Sequence, residues 1–166
     1  MFKGGASKYG IMFGMFKTGV FSDRLDMRLE YTQVRKWTYT HVGNVNPWEY
    51  RGQPFGFWLG PDADELYGQA QYLLSPRAYI SLSLDFVRKG EGDLFHPYED
   101  NWGSDKTPPF PSGVVEKSIG GWLDFRYAID HAELRGRVGY RSIDNRGNIP
   151  GNTNSYFTHW TIDLRM

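Results

Sequence analysis

Apolar and polar residues alternate with a period of two along most of this chain, most cleanly at its C-terminal end. Tyr156, Thr158, Trp160, Ile162, Leu164 and Met166 share one phase; Ser155, His159, Thr161, Asp163 and Arg165 share the other, with Phe157 as the one intruder. A period of two is the repeat of a β-strand. Six further segments carry the same signature. The first, residues 9–21, is the least regular. In 24–41, Leu25, Met27, Leu29 and Tyr31 oppose Arg24, Asp26, Arg28 and Glu30. In 65–75, Leu66, Gly68, Ala70, Tyr72 and Leu74 oppose Gln69 and Gln71, and in 79–89, Ile80, Leu82, Leu84 and Phe86 oppose Ser81, Ser83 and Asp85. The fifth segment sets Ile119, Gly121, Leu123, Phe125, Tyr127 and Ile129 against Trp122, Asp124, Arg126 and Asp130. The sixth sets Leu134, Val138 and Tyr140 against Glu133, Arg135, Arg137 and Arg141. No helical period competes, so the pattern predicts one all-β antiparallel domain of about seven strands over residues 1–166.

The connections between these strands alternate in length. They are tight at Ser22-Asp23, Pro76-Arg77 and His131-Ala132, and long from Gly43, Gly90 and Asn145. Outer-membrane barrels have this rhythm, because their periplasmic turns are short and their extracellular loops long. A soluble sandwich has no reason to keep its long loops at one end so regularly. The charged phase of the fifth and sixth strands, with Asp124, Arg126, Arg135, Arg137 and Arg141, suits the wet lumen of a barrel, where opposite charges pair across strands. On a sandwich the same residues form a solvated face. The apolar phase carries no charge over the middle of the third to sixth strands, as a lipid face requires. The expectation is therefore an up-and-down transmembrane β-barrel. With the long loops outside, the first and last strands run the same way, whereas single-chain bacterial barrels have even strand numbers. This parity predicts the C-terminal part of a longer barrel, with a complete eight-stranded small barrel as the competing geometry.

Composition narrows the function. The 166 residues carry 19 basic and 19 acidic side chains, a formal net charge of zero, which gives no electrostatic footprint for nucleic acid. Mean hydropathy is −0.56, and no apolar run reaches the ~18 residues of a membrane-spanning helix; alternating barrel strands average out to polar and escape that test. There is no cysteine, so disulfides and thiolate metal sites are excluded. Four scattered histidines show no metal-ligand spacing. Asp62, Asp64 and Glu65 offer oxygen ligands for calcium, but the EF-hand spacing is absent and a turn that starts a strand explains them. Gly90-Glu91-Gly92 reads as a turn, since no Lys-Ser/Thr follows it. No carboxylate pair has the spacing of a glycosidase, so no catalytic site, cofactor or metal is expected.

The loops are rich in aromatics. Trp48, Tyr50, Phe57, Trp58, Phe95, Tyr98 and Trp102 supply flat faces that can stack on sugar rings, and Asn46, Arg51, Glu99, Asp100 and Asn101 can bond hydroxyls. The plainer alternative is an interfacial girdle, or packing of the loops into a plug. Within this region the order EYTQVRKWTYTH, RGQPFGFWLGPDADELYGQAQYLLSPR and SLSLDFVRKGEGD resembles the Wzi-type capsule assembly family. Glu30, Tyr31, Thr32, Tyr39, His41, Gly52, Pro54, Gly56, Gly60, Pro61, Ala63, Asp64, Leu66, Arg88, Gly90 and Gly92 fill the family's motif positions. The resemblance covers residues 24–93; beyond that only a general barrel pattern continues, the chain is shorter than the family's barrel, and it ends in Met166 rather than an aromatic. It implies an outer-membrane β-barrel, in contact with membrane lipid, whose external loops help attach capsular or other extracellular polysaccharide to the bacterial surface without enzymatic activity. Trp48, Tyr50, Arg51, Trp58, Tyr98 and Trp102 are the candidate sugar contacts. A passive porin and a soluble all-β carbohydrate-binding sandwich are the rival expectations.

Overall fold

The computed structural model describes residues 8–40, 48–95, 109–130 and 132–165, with side chains as far as Phe157. Seven strands form one antiparallel sheet in simple sequence order: β1 (Gly10–Lys17), β2 (Leu25–Val34), β5 (Ala63–Ser75), β6 (Ala78–Lys89), β7 (Glu116–Ile129), β8 (Ala132–Asp144) and β9 (Asn154–Arg165). A small hairpin, β3 (Glu49–Tyr50) with β4 (Gln53–Pro54), lies in the first long loop. Among the described residues there is no α-helix, and a short 3-10 turn at Arg146–Asn148 precedes β9. The predicted all-β class and the count of seven main strands are found. Among the described residues the sheet is open: β1 pairs only with β2, and β9 only with β8.

The distribution of burial on this sheet is the reverse of that in a soluble protein. On β6, Leu82, Leu84 and Phe86 are 47%, 54% and 41% exposed, whereas Ser81, Ser83 and Asp85 on the opposite face are 3%, 6% and 6% exposed. Register carries both faces across the sheet. Met15, Leu29, Gly68, Leu84, Gly121, Tyr140 and Phe157 form one apolar row, and Met27, Ala70, Leu82, Leu123 and Val138 form the next. Aromatics flank these rows at both ends. Phe13, Tyr31 and Phe86 lie in the row toward the long loops; Tyr72 with Phe125, and then Tyr127, lie in the rows toward the tight turns. The tilted Tyr140–Phe157 pair, with centroids 5.1 Å apart, is the exception within the largely aliphatic middle. From Ala78 to Phe86 the apolar phase of β6 runs eight residue steps, ~27 Å at ~3.4 Å each. Charge ends it on both sides, with Asp64 and Arg88 at the loop end and the Arg77–Asp130 pair (2.9 Å) at the turn end.

The opposite face is held by charge. Arg137 binds Asp124 at 2.6 Å, Glu133 bridges Arg126 and Arg135, and Arg28 binds Glu30 at 2.7 Å. Arg141 reaches across two strands to Asp85 (2.6 Å), bonds Ser118 Oγ (2.8 Å) and lies over the Trp122 ring, 4.9 Å from its centroid. Gly120 makes this possible: a Cβ there would stand 2.5 Å from the Trp122 ring and 3.0 Å from both Asp85 Oδ1 and Arg141 Nη2. Only the smallest residue lets the guanidinium settle between acid and indole.

Three local expectations are corrected. Strand β2 ends at Val34 rather than at His41, because residues 35–40 curl into turns closed by Thr38 N to Arg35 O and Thr40 N to Trp37 O. Leu74 does not continue the phase of Tyr72: a bulge between Leu73 and Ser75 makes Leu74 the extra residue, and Ser75 takes the position opposite Ala78. In β9, Arg137 faces Thr161 but Gly139 faces Thr158, so the strand gains a residue and its phase inverts. Phe157 is therefore no intruder. It lies beside Tyr140 on the apolar face, while Tyr156 pairs with Arg141 on the polar one.

Asp85 and Arg141 are 6% and 14% exposed at their side chains, so removing one partner strands the other. Arg141→Met is expected to lower unfolding stability by about 3 kcal/mol. The double change Asp85→Ala/Arg141→Met is expected to recover more than half of that in denaturant titration; a double variant as unstable as the sum of its parts would contradict the pairing.

Candidate functional site at the loop end of the sheet

The described residues of the first two long loops meet at one carboxylate. Asp62, 0% exposed, opens the segment that leads into β5 with its backbone in the left-handed region (φ 59). Its side chain accepts hydrogen bonds from Gly92 N (3.0 Å), Ser112 N (3.1 Å) and Ser112 Oγ (2.5 Å), and its carbonyl accepts from Gly90 N at 2.7 Å. Charge-assisted bonds of this kind are the stronger class. They tie together segments separated by up to 50 residues. The motif glycines follow directly. A Cβ on Gly90 would lie 2.3 Å from Asp62 Oδ2, and one on Gly92 would lie 2.6 Å from Asp62 Cβ. Glu91 between them accepts from Val114 N at 2.9 Å and donates its own N–H to Ser112 O at 3.0 Å.

Lys89 closes the junction from below. Its ammonium donates to Pro61 O and, at 3.0 Å, to Gly92 O. It lies beyond the apolar stretch of β6, in a site so enclosed that burial pushes it down to about 8, opposed by the nearby carboxylates of Asp62, Asp93 and Glu116. Asn148 then bonds both Lys89 O (2.9 Å) and Val114 O (2.6 Å), bringing the last described loop into the cluster.

The three acids of the GPDADE segment point to different tasks. Asp62 holds the loops. Asp64 binds Arg88 through two bonds (2.9 and 2.5 Å) and accepts from Tyr31 OH at 3.0 Å, on the apolar face. Glu65 accepts from Trp58 Nε1 at 3.1 Å on the polar face. They do not share one cation. Of the motif positions, Gly60, Pro61, Gly90 and Gly92 lie at the Asp62–Lys89 junction, while Tyr31, Asp64 and Arg88 form a separate cluster on the apolar face; His41 lies outside the described residues.

The hairpin β3–β4 rises from this junction. Arg51 (φ 52) and Gly52 (φ 76) both take positive φ, the requirement of a two-residue type I′ turn. Trp48, Tyr50, Phe55 and Trp58 are all more than half exposed. Tyr50 stacks on Phe55 at 6.4 Å, and Arg51 lies over the Tyr50 ring at 5.3 Å. Tyr39 anchors the unit, accepting Phe57 N–H at its hydroxyl (3.1 Å) and Trp48 N–H at its carbonyl (3.0 Å). The Trp58–Glu65 bond draws the C-terminal part of the loop over the polar face. Three of the six candidate sugar contacts, Trp48, Tyr50 and Arg51, lie on or beside this hairpin, and Trp58 lies after it, bound to Glu65; Tyr98 and Trp102 lie outside the described residues. Asp124, Arg126, Arg135, Arg137 and Arg141 all share the polar face of β7 and β8. The residues that sequence reasoning missed are Asp62 as the hub and Ser112, Glu91 and Lys89 as its partners. The signal available was the pair of glycines after Arg88-Lys89, which demand a close neighbour.

Comparison of the chain with protein-family models, curated proteins and solved structures finds no match to any of them.

Gly90→Ala drives a methyl into Asp62 and is expected to cost about 1–3 kcal/mol by overpacking, measured as a shift in the denaturant midpoint; an unchanged midpoint would show that the junction yields freely. The Lys89 amine is expected to titrate near pH 8, against 10.5 for its ordinary value. Between those values the unfolded chain binds a proton that the folded one does not, so this group's contribution to stability rises with pH across the window and is flat below it. NMR titration of the Lys89 side chain reads the midpoint directly, and a value above 10 would refute the enclosed site.

Proposed function

We propose that this chain forms wall strands of a β-barrel in the bacterial outer membrane that binds capsular or other extracellular polysaccharide through its long loops, without catalysis. The observation that carries the membrane half is the inverted burial, with aliphatic side chains outward, aromatic rows at both ends of the band and ion pairs on the other face. A soluble sandwich needs a second sheet against Leu82, Leu84 and Leu123; the described residues outside the main sheet supply only the hairpin at the loop end. Because β1 and β9 run in the same direction, antiparallel closure takes an odd number of additional strands between them.

The polysaccharide half rests on the exposed aromatic hairpin and on the Wzi-type motif. Exposed flat rings at Trp48, Tyr50 and Trp58, with a guanidinium at Arg51, have the chemistry to stack on sugar rings and bond their hydroxyls. A porin is the second reading, favoured by the half-exposed guanidiniums of Arg126, Arg135 and Arg137. The loop drawn over the polar face by Trp58 and Glu65 supports the polysaccharide reading, because a porin keeps that path open.

Leu123→Arg is expected to destabilise the chain folded in bilayers by roughly 2–4 kcal/mol, the range for a cation on the lipid face near mid-membrane, and Arg137→Leu by far less. Equal costs, or a chain that stays monomeric in buffer without detergent, would remove the membrane reading. The triple variant Trp48→Ala/Tyr50→Ala/Trp58→Ala is expected to lose retention of capsular polysaccharide in a pull-down while keeping its fold. Undiminished retention, or ion conductance through an open pore in planar bilayers, would favour the porin.

A further inference from the structure

The row that ends the apolar face at its loop end contains two cations side by side. Arg88 on β6 is the direct cross-strand neighbour of Lys117 on β7; Asp64 flanks Arg88, and Asp144 flanks Lys117. All four share the phase of Phe86 and Ile119, so they continue the apolar band rather than the polar face. Directly opposed residues have Cβ atoms about 4.5–5.5 Å apart, and like charges in that position are destabilising. Here the two cations are not equally neutralised. Arg88 gives Nε and Nη2 to Asp64, which leaves further guanidinium donors, since arginine carries five N–H groups. Lys117 is exposed, and among the described residues no carboxylate pairs with it; Asp144 instead accepts from Thr153 Oγ1 at 3.3 Å.

We propose that Arg88 and Lys117 form a binding site for the phosphate of an anionic membrane-lipid headgroup. A phosphate between them relieves the like-charge contact, takes charge-assisted bonds from the remaining Arg88 donors and the Lys117 ammonium, and faces the membrane surface where the hydrocarbon band ends. The apolar surface just below is what marks the ligand as a lipid rather than a free ion. Phe86 is 41% exposed and Ile119 59% exposed in the adjoining row, so acyl chains attached to the bound phosphate continue onto them. Asp64 is the positioning residue: its two bonds and the Tyr31 hydroxyl behind it fix the plane of the guanidinium. The site rests on the membrane reading given above.

The test uses the full chain reconstituted in vesicles. Co-flotation with phosphatidylcholine vesicles is measured first, then the preference for phosphatidylglycerol over phosphatidylcholine among retained lipids, by native mass spectrometry. Lys117→Gln is the informative variant, because changing Arg88 leaves the buried Asp64 without its partner. One cation at a membrane surface is worth ~1 kcal/mol, so the phosphatidylglycerol preference is expected to fall about fivefold. Lys117→Arg should restore it. Lys17→Gln, which removes a lysine of the same phase on β1 near the tight-turn end, should leave it unchanged. An unaltered preference in Lys117→Gln, an equal loss in Lys17→Gln, or displacement of the lipid by inorganic phosphate alone would overturn the site and leave the membrane reading standing. A chain that fails to float with vesicles would overturn both.

Discussion

A backbone amide facing hydrocarbon has no water to turn to, and an unpaired one costs several kcal/mol there. On the membrane reading proposed above, pairing each strand with its neighbours is what would let β2, β5, β6 and β7 carry Leu29, Leu66, Leu82 and Leu123 outward while the polar side chains turn to the other side. Once the amides are paired, side-chain phase is free to vary, and here the aliphatic phase is the exposed one while Ser81, Ser83 and Asp85 are buried. The same constraint makes the two edges the weak points. Strand β1 is exposed along its whole length and has Met12 and Phe16 on the polar phase, each about two thirds exposed. An edge with bare amides and apolar groups on both faces is a template for pairing with a further strand.

The polar face is organised by a few arginines rather than by diffuse charge. Arg141 joins an acid on β6, a hydroxyl on β7 and an indole on β7 from its place on β8; Arg28 and Arg126 each lie near a tyrosine ring as well as a carboxylate. A planar guanidinium satisfies both neighbours at once, using its edge for the acid and its face for the ring. Lysine offers neither geometry. The consequence is a rigid, cross-linked surface behind a flat apolar one, with the mixed charges held in pairs so that opposed arginines such as Arg126 and Arg135 are bridged by Glu133.

Much of this was legible in the chain, and the parts that were not share a cause. Alternation revealed the seven strands and the phases of Leu82, Leu123, Asp124 and Arg137, because a period of two is local and each strand repeats it several times. The bulges at Leu74 and near Thr161 were invisible, since one inserted residue is fixed by the neighbouring strand's register and leaves no mark on composition. The β3–β4 hairpin was hidden inside a loop because strands of two residues cannot show a period at all. The hub escaped for a different reason. Asp62 looked like an ordinary turn acid, and its partner Ser112 lies 50 residues away; only the packing of Gly90 and Gly92 against it explains why that segment has the residues it has.

That hub also determines what the exposed hairpin can do. Trp48 and Tyr50 flank the Arg51-Gly52 turn and Trp58 follows the hairpin; their anchors are Tyr39, which binds Trp48 N and Phe57 N, and Glu65, which binds Trp58 Nε1. A flexible loop that orders on binding gives up affinity to ordering entropy. Here the anchors spread that cost into folding, because Asp62 is fully enclosed and each of its bonds is made before any ligand arrives. The exposed aromatics stand at the loop end of the sheet, so their height above the apolar band is fixed by covalent chain and hydrogen bonds. On the polysaccharide-binding function proposed above, such a platform would leave conformational freedom to the polymer and meet its own ordering cost in folding.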